Sequence, residues 1–180
     1  QKEKEALEKK NLQLESYFQD VQTLSSIGHE ITSTLDLEGI FRIIYERINS
    51  LMDASGIFVG ICNYEENLLQ VKLAIDKGKR DDYFEYSLDE RKISNYVVKT
   101  GEAVHINEYD KEITNYIPEG EMIQHSAPES VIVIPLKVKD TVLGVLYAQS
   151  DLLAAFSKHH FNILKSFSSY ISIEIDNDTI

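Results

Sequence analysis

The feature that most constrains the fold is the stretch from residue 130 to residue 175, which reads as two strands followed by a helix. Residues 131–138 and 141–149 are dominated by Val, Ile, Leu and Tyr, which favour the pleated, half-buried surface of a sheet. Lys139 and Asp140 separate the two runs, and a polar break of this length suits a hairpin. The sequence therefore predicts an antiparallel pair of strands.

Two residues within these runs indicate special positions in the sheet. Pro135 has no amide hydrogen to donate to a strand ladder, so we expect it at a bulge or facing an unpaired edge. Gly144 interrupts the second strand. A glycine at such a position predicts a bulge or the close approach of another backbone.

A helix with a well-defined start follows the hairpin. Ser157 is a good N-cap, because its hydroxyl oxygen can accept a hydrogen bond from an unpaired amide of the first turn. Phe156 and Phe161 have the spacing of a hydrophobic staple. An apolar stripe recurs at intervals of three and four residues, formed by Phe161, Leu164, Phe167, Ile171 and Ile175. A hairpin followed by such a helix predicts a helix packed on a sheet.

The preceding part of the chain alternates helix and strand patterns. The predicted elements are, in order, a helix over 37–52 capped by Asp36, a hairpin of strands 57–64 and 68–75, a polar segment over 76–82, a short helix around Ile93, Tyr96 and Val97 that ends at Gly101, and a short strand over 103–107.

The ordered set of these features resembles a GAF domain. The parts that carry the resemblance are Ser130, Pro135-Leu136, Gly144-Val145-Leu146-Tyr147, Phe156-Ser157 and the closing helix. The resemblance extends over residues 24–177. It implies an α+β fold with a central antiparallel sheet of about six strands and the terminal helices packed on one face. It also implies that a small ligand would bind on the opposite face of the sheet, under a long loop.

Residues 1–23 form a separate pattern that is rich in Glu, Lys, Leu and Gln and free of Gly and Pro. Leu7, Leu14 and Val21 recur every seven residues, which is the spacing of a coiled-coil core position. A solvated amphipathic helix and a short parallel coiled coil are both compatible with this pattern. We therefore expect two units, an N-terminal signalling helix over 1–23 and a domain over 24–177.

Composition excludes several classes of partner. The chain has 18 Lys and Arg residues against 30 acidic ones, and its net charge of −12 argues against unspecific binding to nucleic acid or to an anionic membrane. Cys62 is the only cysteine, so we expect a reducing, cytoplasmic compartment. No apolar run approaches the roughly 20 residues that span a bilayer, so direct membrane insertion is not expected. Because the chain starts with Gln1, we expect it to be cut from a longer protein that carries an output domain.

The segment over residues 108–129 has no strong periodicity and contains two prolines and a glycine, which predicts a long loop. Loops of this length are commonly lids or binding loops. The residues of this loop and of the strand before it that could close over a ligand pocket are His105, Asn107, Tyr109, Tyr116, Ile117, Met122 and His125. The alternative is a loop that fills its own pocket with side chains.

The residue types present predict neither catalysis nor a metal centre. His159 and His160 are adjacent, so on a helix their side chains point about 100° apart and do not suit one ion. Cys62 lies among apolar residues of a predicted strand, where a small buried side chain is its ordinary role. The resemblance links free methionine sulfoxide reduction to several cysteines and bilin binding to a cysteine thioether. We expect neither activity here.

Cyclic-nucleotide binding is another activity that the resemblance suggests. Members that bind cyclic nucleotides carry a Phe, three further residues and then an Asp-Glu pair. The matching place here is Phe156, followed after three residues by His160 and Phe161, so the acidic pair is absent. We expect no binding of cGMP or cAMP, and we assign no cofactor.

Two functions remain open from the sequence. The first is a regulatory sensor, in which a parallel homodimer joined through its terminal helices binds a small molecule under residues 108–129. It would pass helix movement to an output domain such as that of a histidine kinase, nucleotide cyclase, phosphodiesterase or phosphatase. The second is a degenerate domain that binds nothing and serves as a dimerising spacer. The two differ in whether the space under residues 108–129 is open and partly polar or packed shut.

Overall fold

The computed structural model describes residues 1–15, 37–123 and 126–178, and it describes residue 178 by its backbone alone. One antiparallel sheet organises this part of the chain. The strands in this part are β1 (Gly56–Asn63), β2 (Leu68–Asp76), β3 (Lys79–Arg80), β4 (Phe84–Ser87), β5 (Val104–Ile106), β6 (Ser130–Val138) and β7 (Thr141–Ser150). The helices are α1 (2–15), α2 (Leu37–Leu51), α3 (Ile93–Thr100), α4 (Tyr109–Glu112) with a 3₁₀ turn (Ile113–Asn115) directly after it, and α5 (Lys158–Asp178).

The strand order is β3-β2-β1-β7-β6-β5. Strands β3 and β4 both pair with the outer edge of β2, β3 at the end of that strand and β4 at its beginning. Every pairing is antiparallel. The sheet thus has six strand positions, which confirms the predicted architecture. The segment 76–82 differs from its prediction, because a turn at Lys77 and Gly78, both with positive φ, returns the chain as β3.

Pro135 and Gly144 occupy the special positions that the sequence predicts. Pro135 pairs with Val145 of β7 on one side, while β5 pairs only as far along β6 as Val133, so the other side of Pro135 is an unpaired edge. Gly144 lies opposite Ile61 of β1. A Cβ atom on Gly144 would lie 2.0 Å from the carbonyl oxygen of a neighbouring glycine in β1, so the two backbones meet directly.

The two faces of the sheet carry separate cores because side chains alternate between them. On one face, α2 and α5 pack beside each other over Ile132, Ile134 and Leu146. On the other face, α3, α4 and the segment after them pack over Val131, Val133 and Val145. The predicted placement of the terminal helices on one face is confirmed for α2 and α5.

The start of α5 follows the predicted capping pattern. The hydroxyl oxygen of Ser157 accepts a hydrogen bond from the amide of His160 at 3.1 Å. The ring Nδ1 of His160 accepts from the amide of Ser157 at 3.0 Å, so the two residues form a reciprocal cap. Phe156 is buried, and Phe161 packs against the same core. These contacts fix the direction in which α5 leaves the sheet.

The N-terminal pattern is described only in part. Residues 2–15 are helical, and Leu7 and Leu14 are 59% and 63% exposed. Val21, the expected cap Asp36 and the expected boundary between residues 23 and 24 lie outside the described residues. The division into units 1–23 and 24–177 therefore stays a prediction.

The segment 108–129 is more ordered than the sequence predicts. Tyr109, Ile113 and Ile117 are spaced four residues apart, and the helix α4 with its 3₁₀ turn brings all three onto the sheet, where they are 4%, 6% and 9% exposed. The expectation that the whole segment is a loop is therefore wrong for residues 109–115, which form a short helix and a 3₁₀ turn. Regular helix or strand is absent from the described residues 118–123 and 126–129.

Candidate functional site

His105 faces away from the other predicted site residues. Because Val104 and Ile106 point toward α3 and α4, the alternation of the strand turns His105 toward α5. Its Nε2 lies 2.9 Å from the carbonyl oxygen of Phe156, and its ring stacks on Phe161 with a centroid separation of 5.6 Å. The side chain of His105 therefore connects β5 to the start of α5.

Asn107 and Met122 also lie apart from the buried part of the segment. Asn107 is exposed at the end of β5. Its backbone amide donates to a carboxylate oxygen of Glu112, and its backbone carbonyl accepts from the backbone amide of Ala154. Met122 is 47% exposed, and its amide donates to the carbonyl of Arg91. His125, the last of the predicted residues, lies outside the described part of the chain.

Tyr109, Tyr116 and Ile117 come together beside α3. The ring of Tyr116 meets that of Tyr96 on α3 edge to face, with centroids 5.4 Å apart. Tyr109 and Ile117 are buried in the core on this face of the sheet. The structure thus brings three of the seven predicted residues to one place.

A carboxylate that the sequence analysis missed lies at the start of α3. Glu121 accepts a hydrogen bond from the amide of Ile93, the first residue of α3, and another from the hydroxyl of Tyr109 at 2.8 Å. Lys92, the residue at the N-cap of α3, makes no capping hydrogen bond through its side chain. Glu121 therefore caps α3 from a position 28 residues away, and a carboxylate is favourable at that end of a helix. No local sequence pattern predicts a contact between residues that lie 28 positions apart in the chain.

Three tyrosines in the core on this face of the sheet, Tyr86, Tyr109 and Tyr147, have raised pKa values. Burial raises the pKa of Tyr109, and Glu121 raises it further. Burial of its hydroxyl also raises the pKa of Tyr147 well above the ordinary value, with Glu121 as the next cause. The pKa of Tyr86 is raised by burial as well, and its hydroxyl lies 2.7 Å from that of Ser94 on α3. These hydroxyls stay protonated at neutral pH, and those of Tyr109 and Tyr147 donate to Glu121 and Gln149, respectively.

A cleft of about 310 Å³ opens between the start of α3 and the segment after α4. Its volume lies at the lower end of the range typical of small-molecule sites. The lining residues are Asp89, Glu90, Arg91, Lys92, Asn95, Tyr96, Lys99, Tyr116, Ile117, Pro118 and Glu119. Arg91 and Glu119 form an exposed ion pair across the rim at 2.7 Å, so the cleft is bounded by paired charges.

Asn95 is the one buried polar side chain in the described residues with an unpaired atom. The residue is 2% exposed, and its Nδ2 donates to the carbonyls of Ser87 and Glu90, both at 2.9 Å. Its Oδ1 has no hydrogen-bond partner among the described residues. Burying an acceptor without a partner is unfavourable, so this atom needs a donor.

In the described part of the chain, no group of three or more His, Cys, Asp or Glu side chains could hold a metal ion. Cys62 is partly buried in β1, and burial raises the pKa of its thiol. A raised pKa keeps the sulfur protonated and weakly nucleophilic. Separately, none of the helices described here is long and apolar enough to cross a membrane.

Solved structures with the same architecture come from several signalling and metabolic proteins. The GAF domain of a phosphoenolpyruvate-protein phosphotransferase from Acinetobacter is similar with a TM-score of 0.72 at 17% identity, over 88% of this chain and 93% of that one. The corresponding domain from Coxiella burnetii gives a TM-score of 0.74 at 14% identity, over 89% and 94% of the two chains. At these identities the likeness shows a shared fold.

An enzyme is also among the similar structures. The free methionine-R-sulfoxide reductase from Neisseria meningitidis, in complex with its substrate, gives a TM-score of 0.66 at 14% identity over 89% of this chain and 92% of that one. No curated protein sequence matches the chain. The family model of the GAF domain matches residues 36–177, which is most of the sequence. The chain therefore belongs to the GAF domain family, the regulatory and sensory modules of signalling proteins.

Proposed function

We propose that this GAF domain is the sensor and dimerisation module of a larger cytoplasmic signal-transduction protein. The observation that carries the proposal is the cleft beside α3, because one of its walls, at Tyr116, Ile117 and Glu119, belongs to the segment between β5 and β6. A molecule bound there would change the position of that segment. Candidate output domains are those of histidine kinases, nucleotide cyclases, phosphodiesterases and phosphatases.

The sheet offers a physical route from the cleft to the terminal helices. Strand β6 carries Val131 and Val133 on the side of α3, and Ile132 and Ile134 on the side of α5. His105 adds a direct connection from β5 to the start of α5. A ligand biases the output by binding two arrangements of these elements with different affinities.

We expect the chain to be a parallel homodimer in solution, joined mainly through its terminal helices, which are here α1 at the N-terminal end and α5 at the C-terminal end. Leu7 and Leu14 are largely exposed and lie one heptad apart, as the core positions of a coiled coil do. Sedimentation equilibrium should give twice the chain mass of 20.6 kDa. Replacing Leu7 and Leu14 together with lysine should weaken association, because charge would replace the apolar contacts.

Leu12 provides the matched control for this dimer. It is 67% exposed on the same helix but lies outside the heptad position of Leu7 and Leu14. Leu12→Lys should leave the association constant unchanged. A wild-type chain that sediments at 20.6 kDa at high micromolar concentration would contradict the dimer.

A spacer that binds nothing is the alternative, and one observation favours it. Tyr109, Ile113 and Ile117 fill the space between their segment and the sheet, so the region under residues 109–117 is packed. On this alternative the domain would only hold two copies together. It would need no movement of the segment, and its dimer would be insensitive to small molecules.

Hydrogen exchange separates the two functions. For a sensor we expect residues 118–123 and 126–129 to exchange far faster than β6 in the ligand-free protein, because the structure gives them no regular backbone ladder. The amides of Ser130–Val138 provide the internal reference. Protection of the whole segment equal to that of β6 would mean that it is already locked, and it would favour the spacer.

A further inference from the structure

Glu121 behaves in this structure as a ligand of its own domain. Its carboxylate accepts from the backbone amide of Ile93 and from the hydroxyl of Tyr109, and these two donors belong to different helices, α3 and α4. Both donor residues are almost fully buried, at 1% and 4% exposure. Hydrogen bonds to an ionised acceptor are stronger than neutral ones, which compensates the carboxylate for the water it loses.

We call the two donors that hold Glu121, the amide of Ile93 and the hydroxyl of Tyr109, the carboxylate seat. The first turn of α3 contributes both to this seat and to the open cleft. Lys92 and Asn95 line the cleft, and Ile93, which lies between them in sequence, donates to Glu121. Asn95 presents an acceptor, Oδ1, that has no partner in the described part of the chain. The first turn of α3 therefore contributes one of the two donors that hold the carboxylate, and it also contains a buried acceptor that lacks a donor.

We propose that Glu121 is a displaceable stand-in, and that the start of α3 binds a small carboxylate with an N–H or O–H donor next to it, as in an amino acid or a hydroxy acid. The proposal rests on the ligand-sensing function proposed above and names its ligand class. The carboxylate of the ligand takes the donors of Ile93 and Tyr109, and its second group donates to Asn95 Oδ1. The cleft of about 310 Å³ lies beside these donors, because Lys92 and Asn95, which flank Ile93 in sequence, line it.

Displacement of Glu121 would release the segment that carries it. Its neighbours hold the segment through exposed contacts, namely the ion pair of Glu119 with Arg91 and the bond from the amide of Met122 to the carbonyl of Arg91. Because Glu121 is tethered, its effective concentration at the seat is in the millimolar range or above. A free carboxylate must outcompete it, so removal of the Glu121 side chain should make the seat easier to fill.

Chemical rescue of E121A tests the seat directly. We expect E121A to have a lower Tm than wild type, and sodium acetate at tens of millimolar to raise the Tm of E121A by about 3–5 °C. Glycine and sodium glycolate should raise it further, because their second group reaches Asn95. Sodium chloride at equal ionic strength and neutral acetamide should have no such effect.

Glu119→Ala is the matched control, because it removes a carboxylate two residues away whose only assigned contact is the exposed ion pair with Arg91. Acetate should not rescue E119A. Equal responses of E121A to acetate and to chloride would overturn the carboxylate seat. Equal responses to acetate and to glycine or glycolate would overturn the part assigned to Asn95.

Glu121→Gln keeps the test decisive if E121A fails to fold. The amide retains the shape of the side chain but competes less well for the two donors, so acetate should stabilise E121Q at a lower concentration than it needs for wild type. Equal midpoints would overturn the proposal. The failure of this proposal can be distinguished from the failure of the sensing function. If acetate rescues the variants while residues 118–129 of the wild type exchange as slowly as β6, the carboxylate seat is supported and the sensing function is not.

Discussion

Gly144→Ala is expected to destabilise the domain by more than about 4 kcal/mol. The new Cβ would lie 2.0 Å from the carbonyl oxygen of Gly60, and a backbone atom cannot turn aside as a side chain can. Strands β1 and β7 would have to separate at the centre of the sheet, where Ile61 pairs with Gly144. Urea unfolding followed by circular dichroism measures the loss.

Gly78→Ala is the control that separates crowding from backbone conformation. Gly78 has a φ of +80° in the turn before β3, and nothing lies within 4 Å of the Cβ it would gain. The cost there comes from the left-handed backbone alone and should be about 1 kcal/mol. A Gly144→Ala protein that is as stable as Gly78→Ala would show that the two strands yield easily.

Phe167→Ala should cost about 3–5 kcal/mol of unfolding free energy. Phe167 is fully buried on α5, in the core between the terminal helices and the sheet. Truncation removes a large apolar surface from that core and leaves a cavity that close-packed neighbours fill only in part. The same urea titration gives the value, because the slope should stay constant while the midpoint falls.

Ser169→Ala is the matched substitution on the same helix. Ser169 is exposed, and its hydroxyl bonds only to the carbonyl of Lys165 on its own helix at 3.3 Å. We expect a change within about 0.5 kcal/mol. A loss for Phe167→Ala as small as that for Ser169→Ala would mean that α5 does not close the core.

Residue patterns of short range predicted the elements that local chemistry governs. The staple of Phe156 and Phe161 and the cap of Ser157 define the start of α5, because an N-cap satisfies amides within the first turn. Pro135 and Gly144 were interpretable for the same reason, since a missing amide hydrogen or a missing Cβ limits where a residue can lie in a sheet.

The segment 108–129 shows where this reasoning stops. Its prolines and glycine indicated a loop, yet Tyr109, Ile113 and Ile117 form a short helical face that becomes stable by packing on the sheet. Helices this short are marginal in water, so their sequence signal is weak. Similarly, β3 and β4 are short edge strands that exist because β2 offers its unpaired edge.

Most helices and strands could be predicted from the sequence, since the hairpin, the cap and the apolar periods follow the local preferences of single elements, and their order resembles that of a GAF domain. The arrangement of the candidate site depends on tertiary packing. This packing turned His105 toward α5 and set Glu121 against Ile93, 28 residues away. Such contacts depend on how separate elements pack, and a carboxylate in a segment without periodicity gives no sign of the helix end that it will meet.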